Sequence, residues 1–132
     1  MKISKYFETA IGRGVLATAD ATGRIDIALY ARPHVIDEET IAFCMLNRTT
    51  HKNLQSNPHA AYLFLEEGPE HNGKRLLLTK IKEEEEGDLI ESLRKKTYPE
   101  LKEKVEHLIY FKVDCVLPLV EVEEREVIAA RT

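Results

Sequence analysis

No stretch of this chain is apolar for long enough to cross a membrane as a helix. The opening residues, M-K-I-S-K-Y-F-E-T, lack the uninterrupted apolar core of a secretory leader, so a cytoplasmic location is expected. There are only two cysteines, Cys44 and Cys115, and they form no CxxC pair. Both sit in apolar, strand-like runs, which reads as reduced, buried thiols. No P-loop is present, and Gly12-Arg-Gly14 is too short for a dinucleotide fingerprint and precedes a strand-like run. No HExxH or related zinc pair occurs. The five histidines, His34, His51, His59, His71 and His107, are scattered singly and are read as structural or exposed, so no metal site is expected. No nucleophile elbow supports a Ser–His–Asp triad. The net charge of −4 and the lack of interleaved basic and aromatic residues argue against a nucleic-acid partner.

The chain has 132 residues, 43% hydrophobic and 32% charged, which suits a single domain over 1–132 with a real core. Apolar residues at 3, 6, 7, 10 and 11 have helical spacing. Ser4 is the expected N-cap, with Gly12 and Gly14 ending the helix. Val15 to Ala19 and Ile25 to Tyr30 read as a hairpin about a turn at Asp20–Gly23. Pro33 bends the second strand, and Val35-Ile36 continues it. Thr40 to Leu46 and His59 to Leu65 are apolar strands separated by a short helix, Thr50 to Ser56, that stops before Asn57-Pro58. Glu66 to Lys74 is a polar loop, and Arg75 to Ile81 a strand. The acidic run Glu83 to Glu86 reads as a solvated strand end or helix lead-in. Asp88 to Lys96 is helical, a short helix from Pro99 to Val105 follows, and Leu108 to Val116 is a strand continued past Pro118 as an edge. Glu124 to Thr132 forms a further short strand or a tail packed on a partner. Six or seven strands with hairpin turns, and no regular strand–helix alternation, favour an antiparallel sheet closed into a barrel.

The segment R-T-T-H-K-N-L-Q-S-N-P, Arg48 to Pro58, stands out. Two cations, two hydroxyls and an imidazole sit where a strand ends and a helix begins. Unpartnered N–H groups and the helix dipole favour an anion there, and the basic cluster contrasts with an acidic chain. Two readings of the turn remain open on pattern alone: a phosphate site, or a polar surface turn whose threonines cap a helix.

Three segments together resemble the pyridoxamine 5′-phosphate oxidase-like, FMN-binding split-barrel superfamily. They are G-V-L-A-T-A-D-A-T-G-R, R-T-T-H-K-N-L-Q-S-N-P-H-A-A-Y-L-F and I-Y-F-K-V-D-C-V-L-P-L-V-E, and the likeness runs from Gly14 to Val122. It implies a mainly β fold, a six-stranded antiparallel split β-barrel of Greek-key-like connection. It also implies a homodimer with FMN at the subunit interface. Carried over by position, Arg48, Thr49, Thr50 and Lys52 hold the phosphate. Leu29, Tyr30, Ala31 and Arg32, with Met45, Leu46 and Asn47, flank the ring and ribityl chain, Met45 among the ring-slot side chains, with a partner's Tyr110 or Phe111 completing the slot. In the oxidases this turn carries Ser-Arg-Lys; here Arg48, Thr49 and Thr50 stand in its place, with Arg48 and Lys52 supplying charge from either side. No C-terminal Arg–x–His element for pyridoxal phosphate is present, so vitamin B6 oxidation is not expected.

The expected function is therefore an FMN-dependent oxidoreductase of unassigned substrate. No catalytic residue is assigned; Tyr30 and His51 are the candidate acids or bases. The alternatives are a flavin carrier or sensor without turnover, a deazaflavin protein, and a haem-binding split barrel with His51 or His59 as axial ligand. Dimerisation is expected to cover otherwise exposed apolar residues at Leu108 to Phe111.

Overall fold

Asp20 organises the first hairpin. Its Oδ1 accepts hydrogen bonds from the backbone N–H of Thr22 at 2.9 Å and of Arg24 at 3.0 Å. Gly23 takes the positive φ, 90°, that closes the turn. The turn joins β1 (Gly12–Ala19) to β2 (Ile25–Tyr30), paired antiparallel from Gly14↔Tyr30 to Ala19↔Ile25. The structure, a computed structural model, describes residues 2–96 and 105–120. The expected helix from Pro99 and the strand or tail after Glu124 lie outside the described residues.

Five further strands follow: β3 (His34–Asp37), β4 (Thr40–Leu46), β5 (His59–Glu66), β6 (Gly73–Glu84) and β7 (Val105–Pro118). All pair antiparallel in one seven-stranded sheet of order β2-β1-β5-β6-β7-β4-β3. The fold is thus mainly β, as expected, but has seven strands rather than six. Pro33, which lacks an N–H for a ladder, breaks the second strand, and His34–Asp37 crosses to pair with β4 instead of continuing β2. From Val105 to Lys112 the last strand, β7, lies between β6 and β4; beyond that only β6 pairs with it, so Leu117 and Pro118 lie at an edge as expected, and the stretch after residue 120 lies outside the described residues.

The sheet curls around a core of Leu16, Ile41, Phe43, Met45, Tyr62, Phe64, Leu76, Leu78, Ile109 and Phe111. These residues recur at every second position of their strands, as a sheet with one buried face requires. α1 (Ile3–Thr9) adds Ile3 and Phe7 to this core, one helical turn apart, and α2 (Thr49–Ser56) adds Leu54. α3 (Asp88–Lys95) covers the other face of β4 and β7, where Ile90 packs with Ala42, Leu108 and Tyr110.

Gly12 and Gly14 do not stop α1, which ends at Thr9 with Lys2 rather than Ser4 as its N-cap. They open β1, where neighbouring strands crowd the backbone. A Cβ on Gly12 would lie 2.1 Å from the Leu65 carbonyl oxygen, and one on Gly14 would lie 1.9 Å from the Tyr62 hydroxyl.

Exposure alternates from residue to residue along β2. Ile25, Ile27 and Leu29 are 73%, 66% and 78% exposed, while Asp26, Ala28 and Tyr30 turn inward. Register aligns Leu29 with Val15 and Leu63, and Ile27 with Ala17 and Ala61, so an apolar outer face spans three strands. Leu108 to Phe111, expected at the surface, are buried within the chain instead, alternately under α3 and in the barrel.

Candidate functional site

β2 and β4 face each other across the open seam of the curled sheet without hydrogen bonding. Their rings bridge the gap: Tyr30 and Phe43 stand edge to face, centroids 5.5 Å apart, and Phe43 meets Tyr62 at 5.0 Å. Above this contact runs a trough in two parts. One, of about 300 Å³, is lined by Ala28, Leu29, Tyr30, Cys44, Leu46, Arg48 and Val105. The other, of about 460 Å³, shares Tyr30 and Cys44 and reaches Arg32, His34, Leu93 and Lys96.

The Tyr30–Ala31 backbone is held from below. The Tyr62 hydroxyl lies 3.1 Å from the Tyr30 carbonyl oxygen and 2.9 Å from that of Ala31, and donates to this pair. Burial pushes the Tyr62 phenol well above its ordinary range, so it remains a donor. Burial also raises the Tyr30 phenol, partly offset by a hydrogen bond from the Thr50 hydroxyl and by the Arg48 charge. Burial raises the Cys44 thiol likewise, against the pull of Arg94.

At one end of the trough β4 gives way to α2. Arg48 is the extended N-cap residue and makes no side-chain cap hydrogen bond, so among the described residues the first turn has no side-chain cap. Arg48, Thr49 and Lys52 are exposed; Thr50 and His51 are buried. The segment that follows is built for position. Asn53 Nδ2 donates to Thr18 Oγ1 at 3.1 Å inside the barrel, Leu54 enters the core, and Asn57, before Pro58, ends the helix in extended backbone.

The sequence-expected residues divide accordingly. Leu29, Tyr30, Leu46 and Arg48 line the trough, with Ala31 in its second part. Asn47 is exposed at the turn. Met45 points into the core and is 1% exposed, so only its backbone faces the seam. Arg32 borders the second part of the trough, but its Nη1 donates to the carbonyls of Phe7 at 2.9 Å and Ala10 at 3.0 Å, capping the end of α1. Tyr110 and Phe111 are buried in their own chain and are not free to reach a partner's trough.

Sequence reasoning missed two groupings. Gly14 and Tyr62 together set the seam, a contact between strands that no local pattern signals. Behind α2, His51, Glu83 and His107 meet, brought from a helix and two strands. Glu83 is therefore no solvated strand end: it is half-buried in β6, against His51, Gln55 and Lys80.

No family profile and no curated sequence matches the chain. Solved structures do. An FMN-binding protein from Syntrophomonas wolfei subsp. wolfei superposes with a TM-score of 0.76 at 17% identity, over 89% of this chain and 83% of that one. A candidate pyridoxamine 5′-phosphate oxidase from Lactobacillus delbrueckii gives 0.65 at 19% identity, over 86% and 88% of the two chains. The chain has the pyridoxamine 5′-phosphate oxidase-like split-barrel fold. HutZ, the haem storage protein from Vibrio cholerae, shares this split barrel at a TM-score of 0.57 and 16% identity, over 86% and 90%. Proteins described as FMN-binding and as haem-storing thus share this fold, and the fold alone does not choose a ligand. No helix among the described residues is long and apolar enough to cross a membrane.

Proposed function

We propose that this split barrel binds FMN and serves as an FMN-dependent oxidoreductase, working as a homodimer with the cofactor at the subunit interface. One observation carries the reading. The N-terminus of α2, without a side-chain cap, opens beside two exposed cations at the end of an apolar trough. A dianionic phosphate fits that end by charge, by the helix dipole and by backbone N–H donors. Arg48 offers a fork matched to phosphate oxygens, Thr49 a free hydroxyl and Lys52 a point charge. Thr50 acts through Tyr30, holding that phenol at the trough wall. A tricyclic ring lies against Leu29, Tyr30 and Leu46, whose chemistry is apolar with one hydroxyl. Bound FMN supplies the electron transfer; the protein supplies position and the exclusion of water.

The trough is open on one side, and beside it Ile25, Ile27 and Leu29 present apolar surface. This exposed apolar surface beside an open trough supports the reading that a second copy covers both, with the cofactor between subunits.

Titrating FMN against purified protein tests the reading through the quench of flavin fluorescence. Micromolar protein saturates at one FMN per chain. The double substitution Arg48→Ala with Lys52→Ala weakens binding at least about tenfold, since a hydrogen bond to a charged group contributes roughly 1.5–3 kcal/mol. A flat titration, or unchanged affinity in that variant, overturns the phosphate assignment. A Soret shift on adding haem, in protein that ignores FMN, replaces the flavin reading with a haem one. Oxidation of reduced nicotinamide no faster than by free FMN reduces the oxidoreductase to a carrier.

A further inference from the structure

We propose that His51, Glu83 and His107 form a binding site for a borderline divalent cation of the Zn²⁺ and Co²⁺ class, stapling α2 to β6 and β7. The site lies behind α2, away from the trough, and rests on no assumption about a flavin. Each residue offers one ligand atom, and no two of these atoms are more than 4.8 Å apart. His51 Nε2 is 3.1 Å and His107 Nδ1 is 3.6 Å from the same carboxylate oxygen, Glu83 Oε2. Tetrahedral coordination with bonds of about 2.1 Å sets ligand atoms about 3.4 Å apart, so these two distances bracket the requirement. Two imidazoles and one carboxylate form a donor set that suits zinc and cobalt rather than calcium or magnesium.

The surroundings support the ligands as a metal site requires. Glu83 Oε1 is taken by Lys80 Nζ at 2.5 Å and Gln55 Nε2 at 2.8 Å, which fixes the carboxylate and leaves Oε2 toward the imidazoles. His107 Nε2 is buried with no hydrogen-bond partner, and the nearest carboxylate, Glu106 Oε2, is 3.8 Å away. With Nδ1 on a cation, Nε2 carries the proton, and a small side-chain rotation would bring Glu106 within reach to accept it, the outer-shell arrangement that orients ligating histidines. Glu85 Oε1, 3.2 Å from His107 Nδ1, stands ready as a fourth ligand from the solvent side. Among the described residues, the carboxylates of Glu83, Glu85 and Glu106 outnumber the one ammonium paired with them, Lys80, and leave a net negative surround for a dication.

The two rings lie parallel, 8° apart, with centroids 3.6 Å from one another. Parallel rings aim their in-plane lone pairs side by side rather than at one point. A bound cation therefore fans the rings apart by side-chain rotation, and loss of the stack is part of the expected signature.

The test uses the full chain without a histidine tag, stripped with chelator and titrated with Co²⁺ alone, then Zn²⁺. One equivalent of Co²⁺ produces the visible ligand-field bands of a four-coordinate site, and Zn²⁺ displaces it. Ring ¹⁵N resonances of His51 and His107, and of no other histidine, shift on Zn²⁺ addition. Glu83→Gln and His107→Asn each weaken Co²⁺ binding by more than about 100-fold, since even outer-shell changes cost 10–100-fold. Replacing the exposed His34, His59 and His71 together leaves binding unchanged. A weak, six-coordinate cobalt spectrum in the wild-type chain, unshifted ring resonances, or equal affinity in folded Glu83→Gln protein overturns the site. The wild-type measurements decide even where a variant fails to fold.

Discussion

Tyr62 carries a phenol in an interior otherwise filled largely with hydrocarbon, and its hydroxyl reaches the carbonyls of Tyr30 and Ala31 where β2 leaves the sheet. Gly14 makes room for that hydroxyl; a Cβ there would also meet the Tyr30 oxygen at 2.6 Å. Two expectations follow from this pair. Tyr62→Phe loses the bond and leaves acceptors buried, which costs about 1–2 kcal/mol of stability in a denaturant titration. Gly14→Ala forces ring and backbone apart and costs about 1–3 kcal/mol or more. Combining the two does not restore stability, because the ring carbon of Tyr62 at 2.3 Å and the Tyr30 oxygen still collide with the added methyl. Full rescue in the double variant would show that the hydroxyl alone causes the crowding.

At the scale of elements, four tyrosines tie strands and helices through neutral phenols. Tyr110 is pushed up to about 12 by burial, by its hydrogen bond to Glu84 and by that residue's charge. Tyr6, from burial and its bond to Glu66, and Tyr62, from burial, rise further, and burial raises Tyr30 as well. A phenol whose pKa is raised on folding contributes stability that is full below its unfolded value of about 10 and lost as pH climbs through the folded value. Absorbance titration of tyrosinate therefore lags that of free tyrosine between about pH 10 and 12. It then rises together with the loss of secondary structure; early, non-cooperative ionisation of all five tyrosines would contradict this packing.

The same scale separates what the sequence made legible from what it hid. The Asp20–Gly23 hairpin and the helix closed by Asn57-Pro58 depend on neighbours within a few residues, and both stand where expected. The order of strand, turn and helix around Arg48 was readable for the same reason. Gly12 and Gly14 were misread as helix stops because the contacts that demand glycine come from Leu65 and Tyr62, about fifty residues away. The hairpin turn located β2, yet nothing in its own residues says which of its faces is covered. Met45, assigned to the ring slot, went to the core because Leu46 and Cys44 hold the alternate positions. His51, Glu83 and His107 were beyond reach of any spacing rule, since the sheet order alone brings them together.

For the whole molecule, the outer face of β2, β1 and β5 is the feature that calls for a partner. Ile25 and Ile27 lie outside the residues assigned to the cofactor, so they separate assembly from binding chemistry. The variant Ile25→Lys with Ile27→Lys places charge on this face and yields monomer by size exclusion with light scattering, where the parent runs as a dimer. If the interface completes the cofactor site, that monomer also loses FMN affinity although every phosphate ligand is intact. A parent that is already monomeric removes the interfacial site. Arg32 bears on the same geometry from the opposite direction. Its guanidinium gathers the last carbonyls of α1 at the corner where β2 ends. α1 is thereby fastened to one jaw of the seam, like a pin through a hinge leaf. Cutting the chain just after α1, or exchanging Arg32 for a side chain that cannot fork, would loosen that jaw and widen the gap while leaving the phosphate end of the trough as it was.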